Sequence, residues 1–465
     1  MSRRWPGAGA RRDRSASGDR DVDVPEDGNP GDRSGRPLRV VHVIDSLAGS
    51  GGAENRLVDE VLALRGRCEQ RVVRLFERDF FDVALADAGV PVSALGFNAS
   101  GAGRSWPAIG RRLATELAAD PPDVIHTSLF TGNLVGQLAG ARLGIPVVST
   151  FNRTGDIDLQ RTLQPGVASW KGRTMQAVSR RVATMGDVHY RAVSDYARTT
   201  NCAAMGLPPA ACTVIPRGVR VDLVSVGSAS RAAFGVPEAV PLFANVARLV
   251  PEKAQHLLVE AFALVRATVP DAHLAIAGAV GPALPAVRAA IDRAGLADAV
   301  SLLGFRSDAR ALVAVADVFA FSSVSEGSPG AVVEALVLGT PVAAFGIPPV
   351  AELTAGDRHA WLAPPADPAA LAEAMLGAWH GSADKVQRLA TQRWAADCYS
   401  VDEVARRLGD LLEQRVRAYA ARTPGWRRWL PGTAATSTTP VDAALDPAVA
   451  GPAPAGPGTG AEVRW

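Results

Sequence analysis

The sequence predicts an α/β fold: two doubly wound parallel-sheet domains facing an interdomain cleft. Three observations lead there. A chain of 465 residues exceeds one ordinary hydrophobic core, so two domains come first. Short apolar runs alternate with helical stretches, the signature of βαβ units. The alternation then restarts after Pro216 and Gly218, which read as a hinge. Two such halves put ligands at strand C-termini, in the gap between them.

Residues 1–36 mix Arg, Asp, Gly, Ser and Pro without periodicity and are expected to be a disordered tail, as are residues 425–465. The first domain is expected over 37–215. Its strands are Leu38–Asp45, Gln70–Phe76, Val124–Thr127, Val147–Phe151, Asp187–Val193 and Thr213–Ile215, and a Gly-rich turn leads into a helix near Ala53. The second domain is expected over 216–398, with strands Pro241–Val246, His273–Ala277, Val300–Leu303, Val318–Ser322 and Pro341–Ala344, and helices Lys253–Val269 and Leu284–Ala294. A last helix over 399–424 is expected to cross back to the first domain.

Composition removes several function classes. Hydrophobic residues make up 48% and charged residues 21%, a globular mixture. A net charge of +2 argues against a nucleic-acid partner. The four cysteines form no CxxC pair and the histidines no HExxH, so neither a disulfide framework nor a zinc site is expected. No apolar run reaches spanning length, and the Arg-rich N-terminus lacks an apolar core segment, so a cytoplasmic protein is expected. Lysine occurs only at Lys171, Lys253 and Lys385 in an arginine-dominated chain, which singles out Lys253.

Four places carry candidate chemistry. Gly49, Gly51 and Gly52 follow the first strand, where small residues let backbone N–H groups and a helix N-terminus approach a phosphate. A tight turn alone explains them equally well. In NVARLVPEK, Arg248 and Lys253 flank the start of a helix, and together they can neutralise a diphosphate. In SEGSPGAVVEAL, Glu326 ends a strand-to-helix turn and Glu334 lies about two turns into the helix that begins near Pro329. Two carboxylates so placed can meet two sets of sugar hydroxyls, with Gly327, Pro329 and Gly330 freeing amides between them. His126 ends a short strand and reads either as a cleft group or as a core residue.

Together these segments resemble the retaining glycosyltransferases of family 4, from about Leu38 to about Arg422. GGAE after the first strand, ARLVPEK, EGSPGAVVEALVLGTPV, and GIPPVAEL before WLAPPADPAALAEAM stand in the family's order. The resemblance implies the GT-B fold of two Rossmann-like domains and a metal-independent, cofactor-free transfer from a nucleotide-sugar, UDP- or GDP-linked. It implies that Arg248 and Lys253 hold the donor diphosphate, closed over by Gly51 and Gly52. Ser328, Pro329, Gly330 and Ala331 would line the donor site. It further implies that Glu334 binds the ribose, Glu326 the transferred sugar, and the turn with Phe305 and Arg306 the base, while His126 stands beside the reacting sugar. Glu326, His126, Arg248 and Lys253 are thus the expected catalytic set. Three departures occur: Ala247 and Ala254 stand where the family usually has glycine, and Arg217-Gly218-Val219-Arg220 replaces the familiar Asn-Gly-Val-Asp.

Two other readings share this architecture, a sugar-nucleotide epimerase and a catalytically inactive nucleotide-sugar-binding protein. No acid and base pair suited to the first is evident, and the four charged candidates argue against the second. A glycan, lipid-linked glycan or small-molecule acceptor is expected, in surface polysaccharide or glycoconjugate synthesis, since HTSLFTGNLVG resembles transferases of surface polysaccharide synthesis. Trp426, Arg427, Arg428 and Trp429 suit a peripheral contact at the inner face of a membrane.

Overall fold

The computed structural model describes residues 36–48, 52–97, 106–155, 169–220 and 230–423. Gly49, Gly51, the Trp426–Trp429 cluster and both expected tails apart from Arg36 lie outside these. From Pro37 onward the described residues belong to one compact unit.

Two parallel sheets form the frame. The first holds β1 (Leu38–Ile44), β2 (Cys68–Phe76), β3 (Val92–Phe97), β4 (Val124–Ser128), β5 (Val147–Phe151), β6 (Val188–Ala192) and β7 (Cys212–Val214), in the order β3-β2-β1-β4-β5-β6-β7. The second holds β8 (Leu242–Val246), β9 (His273–Ala277), β10 (Val300–Gly304), β11 (Val318–Phe321), β12 (Val342–Phe345) and β13 (Trp361–Ala363), in the order β10-β9-β8-β11-β12-β13. Strand order therefore reverses twice, between β1 and β4 and between β8 and β11. Those reversals are where doubly wound sheets open a crevice.

The strands are apolar on both faces because helices cover both. Phe319 and Phe321 pack into the layer of helices Gly330–Leu338 and Lys385–Tyr399. Val318 and Ala320, one residue out of phase, meet the layer of Gln255–Thr268 and Pro368–Gly381. In the first lobe Val41 and Val43 face helices Trp106–Ala119 and Phe130–Leu143, while Val40 faces the helix Val401–Arg422. That last helix follows Ser400, whose neighbourhood pairs with the linker: Val219 and Tyr399 share one backbone bond, and Val401 returns another to Val219. Val404, Leu408 and Leu412 then dock on Val124, Val148 and Ile215.

Two strands escape the sequence pattern. β3 exposes most of its length and β13 spans three residues, so neither shows a continuous apolar run. The helix expected from Lys253 begins instead at Gln255, after a 3-10 turn at Pro251–Lys253. Ala254 joins them with φ 45° and ψ 39°, a left-handed conformation that cannot propagate a right-handed helix.

Beneath the first lobe, Glu60 and Arg191 form a bidentate pair at 2.7 and 2.8 Å with both side chains fully buried. Arg191 also donates to the carbonyls of Ile215 and Pro216, fastening the linker to the sheet. Replacing Arg191 with Leu leaves buried Glu60 with only the longer Arg56 contact, and the urea-unfolding free energy should fall by up to roughly 3–5 kcal/mol. A loss below about 1 kcal/mol would contradict the role assigned to the pair.

Candidate active site

The two switch points face each other across a cleft of about 760 Å³, lined from both lobes. Small-molecule sites run from about 300 to 1,000 Å³, so a nucleotide-sized ligand fits. A second cavity, of about 580 Å³, lies at the N-terminal ends of β1 and β2, away from either switch point. Its Arg39 already pairs with Asp120 and Glu69.

On the second lobe β8 delivers Arg248 and Lys253, and β11 delivers Glu326. Lys253 Nζ donates to Glu326 Oε1, and both side chains are mostly buried. The backbone fixes this pair from behind: Val324 N donates to the Glu252 carbonyl at 3.0 Å, and Ser322 Oγ to that of Lys253 at 2.8 Å. Arg248 is exposed and makes no ion pair among the described residues. Glu334, one turn into the helix Gly330–Leu338, accepts from Arg310 at 3.2 Å. No side chain caps that helix, so its first amides are open to the cleft. Ser328, Pro329, Gly330, Ala331 and Gly52 line the same space.

The first lobe supplies Arg56, nearly fully buried, whose guanidinium donates to Asn152 Oδ1 and to Ser128 Oγ at 3.2 Å. Its Nε lies 3.4 Å from Glu60, so the buried Arg191–Glu60 pair extends to the cleft wall. Leu129 turns the chain out of β4 at φ 67° and ψ 169°, a region nearly reserved for glycine, and it sits on the cleft. Backbone held this way marks a place where surrounding structure overrules local preference.

The lobes are pinned beside this chemistry. Glu352 accepts from the backbone N–H groups of Asp195 and Tyr196 at 2.6 and 2.7 Å, capping a first-lobe helix with a second-lobe carboxylate. Ser194 Oγ donates to the Gly327 carbonyl at 2.7 Å. A Cβ on Gly327 would meet the Asn152 carbonyl oxygen at 2.3 Å, so this approach requires glycine.

His126 corrects the expectation placed on it. Its ring is fully buried and does not line the cleft. Nδ1 lies 2.9 Å from His42 Nδ1 and Nε2 3.1 Å from Thr150 Oγ1. His42 Nε2 lies 3.1 Å from Gln70 Oε1, which can only accept. The protons then run one way: His42 donates to Gln70 and accepts from His126, and Thr150 donates to His126. Burial lowers the His42 pKa to about 4 and drives that of His126 well below its ordinary value. With both nitrogens engaged, this neutral ring is a core member set back from the cleft lining. All of β4 is buried, a fact that a strand-end position alone does not reveal.

The turn carrying Phe305 and Arg306 is also absent from the cleft lining. Phe305 is 71% exposed, and Arg306 lies over the Phe234 ring while pairing with Asp308 at 2.7 Å. Conversely, Arg56 and Asn152 line the cleft without having been singled out, and Arg217, noted only as a departure in the linker, lines it too. An arginine one turn after GGAE was the available signal for the first; the other two meet the cleft only through tertiary packing.

Comparison with known proteins follows this geometry. Residues 50–223 match the family model Glycosyltransferase Family 4, and residues 240–380 match Glycosyl transferases group 1. The 2-deoxystreptamine glucosyltransferase of Streptomyces kanamyceticus is 27% identical over 305 residues, 61% of this chain and 76% of its own. The putative colanic acid biosynthesis glycosyltransferase WcaL of Salmonella typhimurium is 30% identical over 222 residues, 45% of this chain and 53% of its own. The crystal structure of Anabaena Alr3699/HepE in complex with UDP aligns with a TM-score of 0.68 at 22% identity, covering 81% of this chain and all of that one. Two doubly wound lobes around a cationic cleft thus define a glycosyltransferase of GT-B fold. Within that class, the chain belongs to glycosyltransferase family 4. Among the described residues no helix is long and apolar enough to cross a membrane.

Two predictions follow from the geometry. Below pH 6.5 the unfolded chain binds protons that buried His42 refuses until about pH 4, so its contribution is present above pH 6.5 and lost on acidification. Over that window the unfolding free energy of His42→Gln should fall less steeply than that of the wild type; equal slopes would contradict the burial argument. Ala254→Gly relieves a left-handed alanine and should raise stability by about 1 kcal/mol in thermal unfolding. A lowered melting temperature would show that the strain is absent.

Proposed function

We propose that the cleft binds a nucleoside diphosphate sugar, UDP- or GDP-linked, and transfers the sugar to a glycan, lipid-linked glycan or small-molecule acceptor. Transfer retains the anomeric configuration and needs no metal. The observation that carries this reading is the meeting of Arg248 and Lys253 with the uncapped Gly330 helix and two carboxylates in one cleft. Cations at a helix N-terminus suit a diphosphate, and carboxylates suit sugar hydroxyls. Buried polar atoms without partners ring the same space: Asn152 Nδ2, Arg217 Nε, Glu252 Oε2 and Ser328 Oγ. Such atoms are costly to leave unmatched, and a polyhydroxylated ligand matches them.

In the reaction the bond between the anomeric carbon and the diphosphate oxygen breaks, and its electron pair leaves with the phosphate. The sugar gains oxocarbenium character. The acceptor hydroxyl attacks from the face the diphosphate has left and passes its proton to a departing phosphate oxygen. Arg248, Lys253 and the helix dipole stabilise the negative charge on the departing diphosphate, a role that a metal cation fills in other designs. Without donor, Glu326 neutralises Lys253; with donor, the lysine turns to phosphate and Glu326 to a sugar hydroxyl. Glu334, steadied by Arg310, holds the ribose. Of the matched relatives, one is named for 2-deoxystreptamine and one for colanic acid biosynthesis, which keeps both a small-molecule and a glycan acceptor in view.

A mass-spectrometric screen of nucleotide-sugars against the wild type identifies the donor. With it, Lys253→Ala should lower kcat/KM by about 10²–10³-fold while the melting temperature stays near wild type. Chelation with EDTA should leave turnover unchanged. Near-normal turnover in Lys253→Ala, or abolition by EDTA, would overturn the reading.

A further inference from the structure

The linker between the lobes brings a third cation to the phosphate end of the cleft. Arg217 stands where family 4 commonly has asparagine. Its Nη1 donates to the Gly52 carbonyl at 3.3 Å. A Cβ built on Gly52 would fall 2.9 Å from that nitrogen, and one on Gly330 would fall 2.5 Å from Arg217 Cζ and 2.7 Å from Nε. The guanidinium therefore lies against the first residue of two helices, Gly52–Ala63 from one lobe and Gly330–Leu338 from the other. A side chain at either position would push the guanidinium out of this pose.

This placement gathers positive charge at one end of a cleft that Glu54, Glu252, Glu326 and Glu334 also line. Each helix N-terminus carries roughly half a positive charge, and Arg217 adds a full one between them. Arg56, Arg248 and Lys253 line the same cleft. Among the described residues Arg217 has no carboxylate in ion-pairing contact, and its Nε is buried without a partner. Asp59, on the Gly52 helix, lies close enough for Arg217 to oppose the rise in its pKa, which burial takes to about 6, but it makes no direct ion pair with the guanidinium. Positive charge gathered at two positive helix ends calls for an anion between them. A guanidinium fork with free donors fits the oxygens of a phosphate.

We infer that Arg217 is a donor-binding residue that grips the diphosphate together with Arg248 and Lys253. Because it projects from the linker and touches both lobes, its grip ties donor binding to the apposition of the lobes. The inference rests on the donor reading above and adds to it a contact that the linker of this chain supplies.

Isothermal titration of UDP and GDP, with uridine and guanosine as phosphate-free controls, tests it on wild type, Arg217→Ala, Arg217→Lys and Lys253→Ala. All variants are first matched by circular dichroism and melting temperature. Arg217→Ala should weaken the preferred diphosphate at least tenfold and leave nucleoside affinity within twofold, with Arg217→Lys recovering part of the loss. Diphosphate affinity within twofold of wild type in Arg217→Ala, while Lys253→Ala loses it, would overturn this inference alone. An equal loss of diphosphate and nucleoside would also overturn it, by showing a merely structural role. Unchanged affinity in both Arg217→Ala and Lys253→Ala would overturn the donor reading and this inference with it.

Discussion

A carboxylate of one lobe closes a helix of the other: Glu352 takes the first free amides of the helix Asp195–Met205. The site depends on this kind of contact, because the chemistry on each lobe is incomplete. The second lobe holds Arg248, Lys253, Glu326 and Glu334, and the first holds Arg56, Asn152 and the Gly52 turn. The Ser194–Gly327 bond and the press of Gly327 on Asn152 bring the loop of Glu326 against the first lobe. Charged hydrogen bonds of this sort are stronger than neutral ones, yet the Glu352 carboxylate is only partly buried and water competes for it. The lobes are thus held and separable, which suits a cleft that must load and release ligand.

Rigidity at the walls comes from buried polar chemistry. Arg191 joins the linker carbonyls to Glu60, Glu60 reaches Arg56, and Arg56 fixes Ser128 and Asn152 at the cleft. Beside it, the one-way chain Thr150–His126–His42–Gln70 satisfies both ring nitrogens of His42 and of His126. The first network ends in the cleft lining at Arg56 and Asn152, while the second stays inside the sheet. Both fix the strand ends from which ligand-facing residues project, so an error there would be felt in the cleft.

Much of the frame was legible because parallel strands buried on both faces must be apolar throughout, as at β5 and β11. Partly exposed β3 and three-residue β13 gave no such run. The glycine that family members commonly place after the lysine has its reason in Ala254: that position is left-handed. The charged residues of the second lobe were readable because they lie close in sequence to helix starts. His126 was misplaced because its strand lies wholly inside the sheet, where a polar side chain finds polar partners rather than solvent. The contacts of Arg217 and Asn152 could not be found from spacing, since what matters is their meeting with residues 165 and 96 positions away.

The central claim is that a diphosphate is gripped between the lobes at both switch points. Hydrogen–deuterium exchange with a panel of nucleoside diphosphates tests it most directly. One member of the panel should slow exchange together in the segments 52–56, 247–255 and 325–334. Protection confined to one lobe, or to surfaces away from these segments, would contradict it.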